Sequence, residues 1–201
     1  MSGIDDDNLP FNIRPDLTPY LVHLTKKADG NSALSNLIEI LRTGVIQGTN
    51  SYIRGPRKAA CFMDVPFVAL KYVCSKQNSG RYAPYGVVIT KTFAYRRGTR
   101  PVLYLSDKEQ RRLCISKKEL WRVVKLQYSK DRSSWDSNWL HEREWRCPDR
   151  FNLPDKIRAV LVRTVKEAAQ LQARIEDGSE SLACIPQSII PLNVICQGLN
   201  S

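Results

Sequence analysis

Three stretches of this chain carry reactive side chains at spacings that would bring them together. Glu142-Arg143-Glu144-Trp145-Arg146 sets two carboxylates two residues apart, and on an extended strand such a pair points to one face. His23-Leu24-Thr25 does the same for an imidazole and a hydroxyl. The segment from Asn50 to Arg57 holds a tyrosine and two arginines, Arg54 and Arg57. Paired carboxylates stabilise developing positive charge and move protons, and arginines hold phosphates. Each group also has a structural reading. A single strand histidine is commonly a satisfied structural group, Glu144 between Arg143 and Arg146 suits a surface ion-pair ladder, and basic loop residues usually only solvate.

Several other chemistries are not expected. The cysteines, Cys61, Cys74, Cys114, Cys147, Cys184 and Cys196, form no C-x-x-C pair, and two histidines are too few for a common zinc pattern. They read as free thiols, and with no base paired to Cys61 or Cys147 a nucleophilic cysteine is not expected. The chain has neither G-x-G-x-x-G nor a Walker loop. No apolar run approaches the roughly 20 residues of a membrane span. Asp5, Asp6 and Asp7 stand where a secretory signal would be basic and then apolar, so a cytoplasmic protein is expected.

The elements that must position these groups follow from periodicity. Tyr20 to Thr25 alternates as a half-buried strand. Asn31 or Ser32 caps a helix with Leu34, Leu37, Ile38 and Leu41 at helical spacing, closed by Gly44. Residues 45–58 read as a long loop, Ala59 to Met63 as a short buried strand, and Pro66 as the first turn of a helix through Tyr72. A turn-rich segment, Ser75 to Pro84, leads to Tyr85–Lys91 and Arg100–Leu105, expected as neighbouring strands. Ser106 to Gln127 is predicted mostly helical with a break at Cys114–Ser116, and residues 129–142 a polar loop. Glu144–Cys147 and Ile157–Arg163 have strand character, and Val165 to Ile175 is helical. Ser188 to Cys196 reads as an edge strand, since Pro191 suits no central one. This order predicts an α+β fold with a split mixed or antiparallel sheet and flanking helices. One domain over residues 1–201 is expected, with residues 1–18 a flexible leader.

The formal charge is +11, and Lys91 to Lys130 concentrates it, with twelve basic residues against three acidic ones. Such a run is either a solvated face or a surface for a polyanion, of which nucleic acid is the main example.

The motifs in order resemble a family. His23-Leu24-Thr25 followed by Asn36-Leu37-Ile38-Glu39-Ile40-Leu41-Arg42-Thr43-Gly44-Val45-Ile46 is similar to the opening of DarT-like and AbiGi-type ADP-ribosyltransferase-fold proteins of bacterial toxin and phage-defence systems. Cys61-Phe62-Met63-Asp64-Val65-Pro66 resembles the C-F-x-E-x-P element of the AbiGi-type group. Residues 82–88, 101–104 and 142–146 resemble its later elements, and the similarity spans residues 20–165.

The resemblance implies NAD as substrate, no metal, and an ADP-ribosyltransferase-like fold. It implies Glu144 as the carboxylate that stabilises oxocarbenium-like charge on the ribose, with Glu142 orienting or deprotonating the acceptor. His23 would hold the adenine-side ribose, supported by Thr25, and Arg54 or Arg57 the pyrophosphate or the nicotinamide ribose. Tyr72, Tyr82 and Tyr85 are candidates for stacking on nicotinamide. An antitoxin partner is implied. At the catalytic strand E-R-E-W-R replaces the apolar surroundings of DarT, so thymidine is not carried over as acceptor. The basic segment favours RNA or single-stranded DNA, with protein next. The alternatives are a protein-directed transferase, an NAD glycohydrolase using water, and a nucleic-acid-binding module without chemistry.

Overall fold

The computed structural model describes residues 17–75, 81–129 and 134–196. The chain opens with β1 (Tyr20–Leu24), α1 (Ala33–Thr43), β2 (Val45–Gln47), β3 (Ala59–Phe62) and, after a 3-10 turn, α2 (Leu70–Val73). It continues through β4 (Gly86–Thr90), α3 (Lys91–Arg96), β5 (Arg100–Pro101), β6 (Leu103–Leu105) and α4 (Asp107–Arg112). A 3-10 segment, Lys117–Arg122, leads to β7 (Val123–Lys125), β8 (Gln127–Tyr128) and β9 (Trp135–Ser137). The last part holds β10 (Trp145–Pro148), β11 (Arg150–Asn152), β12 (Lys156–Ile157), β13 (Ala159–Val162), α5 (Val165–Glu176), β14 (Ile185–Pro186), β15 (Ile189–Pro191) and α6 (Leu192–Ile195).

Two sheets carry the architecture. A four-stranded sheet has the order β1-β4-β13-β15, antiparallel except for the β13–β15 pair, and a three-stranded antiparallel sheet has the order β3-β10-β5. They meet in one bridge, Val22 with Met63, where two backbone hydrogen bonds of 2.9 and 2.8 Å join β1 to the end of β3. The sheet is therefore mixed and split, and the molecule α+β.

The four-stranded sheet is covered on both faces, which is why β4 and β13 read as unbroken apolar runs. Leu21, Val87, Ile89, Val160 and Val162 pack with Leu37 and Leu41 of α1, while Val22, Leu24, Val88 and Leu161 pack with Leu70 and Leu192 on the other side. Each fully buried Leu contributes roughly 1.5–3 kcal/mol relative to exposure. The helix α1 sits as its sequence indicates: the Ser32 hydroxyl accepts from Ser35 N–H, and Gly44 adopts the left-handed conformation (φ 66°) after the last turn.

Several elements differ from the sequence expectation. Residues 45–47 form β2 inside the expected loop, because Arg150–Asn152 return to pair with them. Strands β4 and β5 are not neighbours, since β5 joins β10 in the other sheet. Between Ser106 and Gln127 the chain is only partly helical: Cys114 turns left-handed (φ 49°), a 3-10 segment follows, and β7 pairs in parallel with β6. The expected edge strand is β15, and it ends at Pro191, where α6 begins. The leader through residue 16, residues 76–80 of the turn-rich segment and residues 130–133 of the polar loop lie outside the described residues. No helix among the described residues is long and apolar enough to cross a membrane. The six cysteines are unpaired.

Candidate active site

Glu142, Glu144 and Arg146 are all buried, with 5%, 7% and 3% relative exposure. Arg146 grips Glu144 with both ends of its fork, Nε to Oε1 at 2.8 Å and Nη2 to Oε2 at 3.0 Å. Its remaining nitrogen, Nη1, donates to the carbonyls of Trp121 and Val123 at 2.8 and 3.4 Å. The Glu144 carboxylate is thus held in one orientation. Two of its roughly four acceptor positions are used by Arg146, which leaves capacity for a hydroxyl. The surface ion-pair ladder is the wrong structural description, since both partners are inside.

The segment 142–144 is not extended. Glu142 closes a 3-10 turn, Leu140–Glu142, Arg143 turns left-handed (φ 45°), and the strand starts only at Trp145. Long-range contacts impose this turn. Glu142 O accepts from Asp64 N–H, and Glu144 O accepts from Val102 N–H. The Tyr104 hydroxyl accepts from Glu144 N–H at 2.9 Å and donates to Trp139 O at 3.2 Å. Burial pushes the Tyr104 phenol up to about 12, so it remains a donor.

The two carboxylates feel each other, and their surroundings differ. Glu142 accepts from the Tyr82 hydroxyl at 2.7 Å and lies 3.8 Å from Arg81 Nε. Burial, then the nearby Glu144, raises the Glu142 pKa above the ordinary carboxylate value, while the Tyr82 hydrogen bond and Arg81 pull it back.

Cys61 connects this centre to β1. It stands opposite Arg146 across the β3–β10 pair, and its carbonyl oxygen lies 2.8 Å from His23 Nδ1. A carbonyl only accepts, so Nδ1 carries the proton, and Nε2 of the neutral ring is an acceptor. Burial lowers the His23 pKa and favours that neutral form. The thiol of Cys61 lies against Glu144 and Arg146, and burial followed by the Glu144 charge pushes its pKa far up, which holds it as an inert thiol.

The other expected site residues are engaged elsewhere. Arg54 donates to Asp107 Oδ1 at 2.7 Å and to Gln110, both on α4. Arg57 pairs with Asp149. Tyr85 belongs to the core, and its hydroxyl donates to Glu167, which closes the capping box of α5. Tyr72 is 67% exposed on α2, with the Lys71 ammonium over its ring. The single proton of the Thr25 hydroxyl is shared between Ala33 O and Tyr85 O, tying β1 to the start of α1. The site therefore assembles Glu142, Glu144, His23 and Tyr82 from the expected set, the last as a hydrogen-bond donor to Glu142. It adds Arg146, Cys61, Arg81 and Tyr104. Of these, Arg146, Cys61 and Tyr104 lie in runs that the sequence analysis picked out, 142–146, 61–66 and 101–104, and Arg81 had no sequence signal.

Among the described residues no group of three or more His, Cys, Asp or Glu is placed to hold a metal ion. No family model matches the chain. No curated protein matches it. Two solved structures are similar to it. They are of Thermus sp. 2.9 DarT, in complex with carba-NAD+ and with NAD+, at 16% and 14% identity. Each alignment covers 90% of this chain and 97% of the other, with a TM-score of 0.47.

Proposed function

We propose that this chain is an NAD-dependent ADP-ribosyltransferase whose acceptor is RNA or single-stranded DNA. The observation that carries the reading is the buried Glu144 carboxylate, fixed by both ends of the Arg146 fork where the two sheets part, with Glu142 and the Cys61–His23 link beside it. These residues fit the substrate that the sequence motifs imply. An oriented carboxylate hydrogen-bonds a ribose hydroxyl and stabilises positive charge on the sugar, and a neutral imidazole with a free acceptor nitrogen receives a second ribose hydroxyl.

The bond between nicotinamide and the ribose anomeric carbon breaks, and nicotinamide leaves with the electron pair. An acceptor heteroatom attacks the anomeric carbon and gives its proton to Glu142. The acceptor class rests on charge: Arg111, Arg112, Lys117 and Lys118 are exposed and form no salt bridge among the described residues.

Incubation with biotinylated NAD and total cell protein, RNA and DNA, followed by separation of the three, tests this. Label on RNA or DNA is expected. Label on protein alone overturns the acceptor class, free ADP-ribose alone indicates hydrolysis, and intact NAD overturns the transferase.

Two further results are expected. His23→Ala raises the KM for NAD on the order of tenfold and lowers kcat much less, because its hydrogen bond goes to the half of NAD that does not react. An unchanged KM with a large fall in kcat would place His23 at the reacting end. Transfer should also rise with pH through the raised Glu142 pKa, since a proton acceptor must be ionised, and Glu142→Gln should remove that limb. The stability linkage has the opposite sign. A carboxyl raised in the folded state adds stability below its unfolded value near 4.5, and that is lost as pH rises through the folded one. A Glu142→Gln profile with the same acid limb would show that another group titrates.

A further inference from the structure

Aromatic side chains gather around the Arg81 guanidinium beside the Glu142 carboxylate, which accepts from the Tyr82 hydroxyl. The Arg81 guanidinium stacks 3.7 Å over the Trp139 ring and lies 5.7 Å from the centroids of Tyr52 and of Tyr82. Its Nε is 3.8 Å from Glu142 Oε1. These four residues come from three separated parts of the sequence, and they meet only here. Tyr52 is 84% exposed, although Glu142 on the other side of their shared neighbour Arg81 is 5% exposed. Tyr52 also sits in the left-handed region, at φ 61°, which is disfavoured for a bulky residue. An aromatic ring that is almost wholly solvated adds little to the core, so folding does not account for its place.

The loop that carries Tyr52 is fastened to the basic part of the molecule. Two residues on, at most about 7 Å along the chain, Arg54 pairs with Asp107 and Gln110 of α4. Gly55 packs so close to the 3-10 segment that a Cβ would stand 2.9 Å from Leu120 Cβ. Around these anchors lie the exposed cations Arg111, Arg112, Lys117 and Lys118. A cationic tip thus runs by way of one pinned loop into an aromatic and guanidinium cluster beside a buried carboxylate.

A nucleobase has two flat faces that stack on aromatic rings and on guanidinium planes, and its backbone carries the phosphates that a cationic tip attracts. A protein segment can supply a flat ring but not the regular row of phosphates beside it. We propose that Tyr52, Arg81 and Trp139 form an acceptor subsite for one unpaired nucleobase of a single-stranded nucleic acid, whose phosphates pass over Arg111, Arg112, Lys117 and Lys118. The proposal rests on the transferase reading and names where its acceptor sits. Stacking there sets the edge of the base over Glu142.

The test uses the full chain and a fluorescein-labelled, mixed-sequence single strand of about 12 nucleotides, with binding read by anisotropy in the absence of NAD. Tyr52→Ala and Trp139→Ala each weaken binding by about 5- to 100-fold, the range for loss of one base–aromatic stack. Tyr52→Phe, which keeps the ring, restores it. Reversing Arg111, Arg112, Lys117 and Lys118 to Glu lowers the slope of log affinity against log salt by up to about 3. Variants that bind the single strand as the unsubstituted chain does would overturn the subsite. So would an equal loss for a duplex of the same sequence, or a rise in the KM for NAD with oligonucleotide binding unaltered. Nicotinamide release by the unsubstituted chain is measured in parallel. Its absence refutes the transferase reading, while the anisotropy series judges the subsite separately. Tyr52 is too exposed for its loss to unfold the protein, which keeps the result interpretable if Trp139→Ala is unstable.

Discussion

Glu144→Gln should lower nicotinamide release from NAD by about 100-fold or more in a protein that still folds, because the substitution keeps the size of the side chain and one of its two acceptor oxygens and removes its charge. The structure adds a cost. Glu144 is buried against Arg146, and removing one partner of a buried pair costs up to about 3–5 kcal/mol when nothing replaces it. Here the loss is smaller. Gln still offers an oxygen to the guanidinium, and Arg146 keeps the carbonyls of Trp121 and Val123. A domain of this size moves about 2–4 °C per kcal/mol, so a fall in Tm on the order of 5 °C is expected. Nicotinamide release by chromatography, at a temperature where circular dichroism shows both proteins folded, separates the effects. Turnover equal to that of the unsubstituted chain would remove Glu144 from the chemistry.

What could be read from the sequence was local. The helix α1 announces itself because Ser32, Leu37, Leu41 and Gly44 act within one element, and β1, β3, β10 and α5 lie where short-range patterns put them. Strand β2 was hidden, because Val45–Gln47 becomes a strand only by pairing with Arg150–Asn152, a hundred residues later. Strand β7 was hidden for a similar reason. Three residues are too few to show a period of two, and the parallel partner β6 lies beyond α4.

The same division runs through the site. Glu142 and Glu144 could be picked out as a pair, but their spacing suggested a strand, whereas the left-handed turn at Arg143 depends on Asp64, Val102 and Tyr104. No local signal couples Arg54 to Asp107 or Arg57 to Asp149, so both arginines looked available for a phosphate. Tyr52, Arg81 and Trp139 have no pattern in common, and only the fold gathers them. These side chains meet across long sequence distances, and periodicity does not encode such meetings.

The second large effect concerns Lys91, which the sequence presents as one more cation of the basic segment. In the structure it is 5% exposed and its Nζ lies 2.8 Å from Asp64 Oδ1, itself buried, with Arg143 Nη2 at 3.6 Å from the same oxygen. Lys91→Met should lower stability by about 3–5 kcal/mol, since it strands the Asp64 carboxylate in a buried place with only the longer Arg143 contact. At about 2–4 °C per kcal/mol this is a fall in Tm on the order of 10 °C. Adding Asp64→Leu should recover most of that loss, because two apolar residues leave no uncompensated charge. Activity should not return with stability. Asp64 anchors Arg143, whose left-handed turn sets the direction of both carboxylates, so the double variant is expected to melt nearly as the unsubstituted chain does and still turn over slowly at an ordinary KM for NAD. Thermal melting of the single and double variants checks the first part, and steady-state nicotinamide release checks the second. If Lys91→Met alone melts with the unsubstituted chain, the pair contributes nothing. If the double variant recovers full turnover, Arg143 holds its turn without the Asp64 carboxylate, and the hydrogen bonds made by the backbone N–H groups of residue 64 and Val102 and by the Tyr104 hydroxyl suffice to aim Glu142 and Glu144.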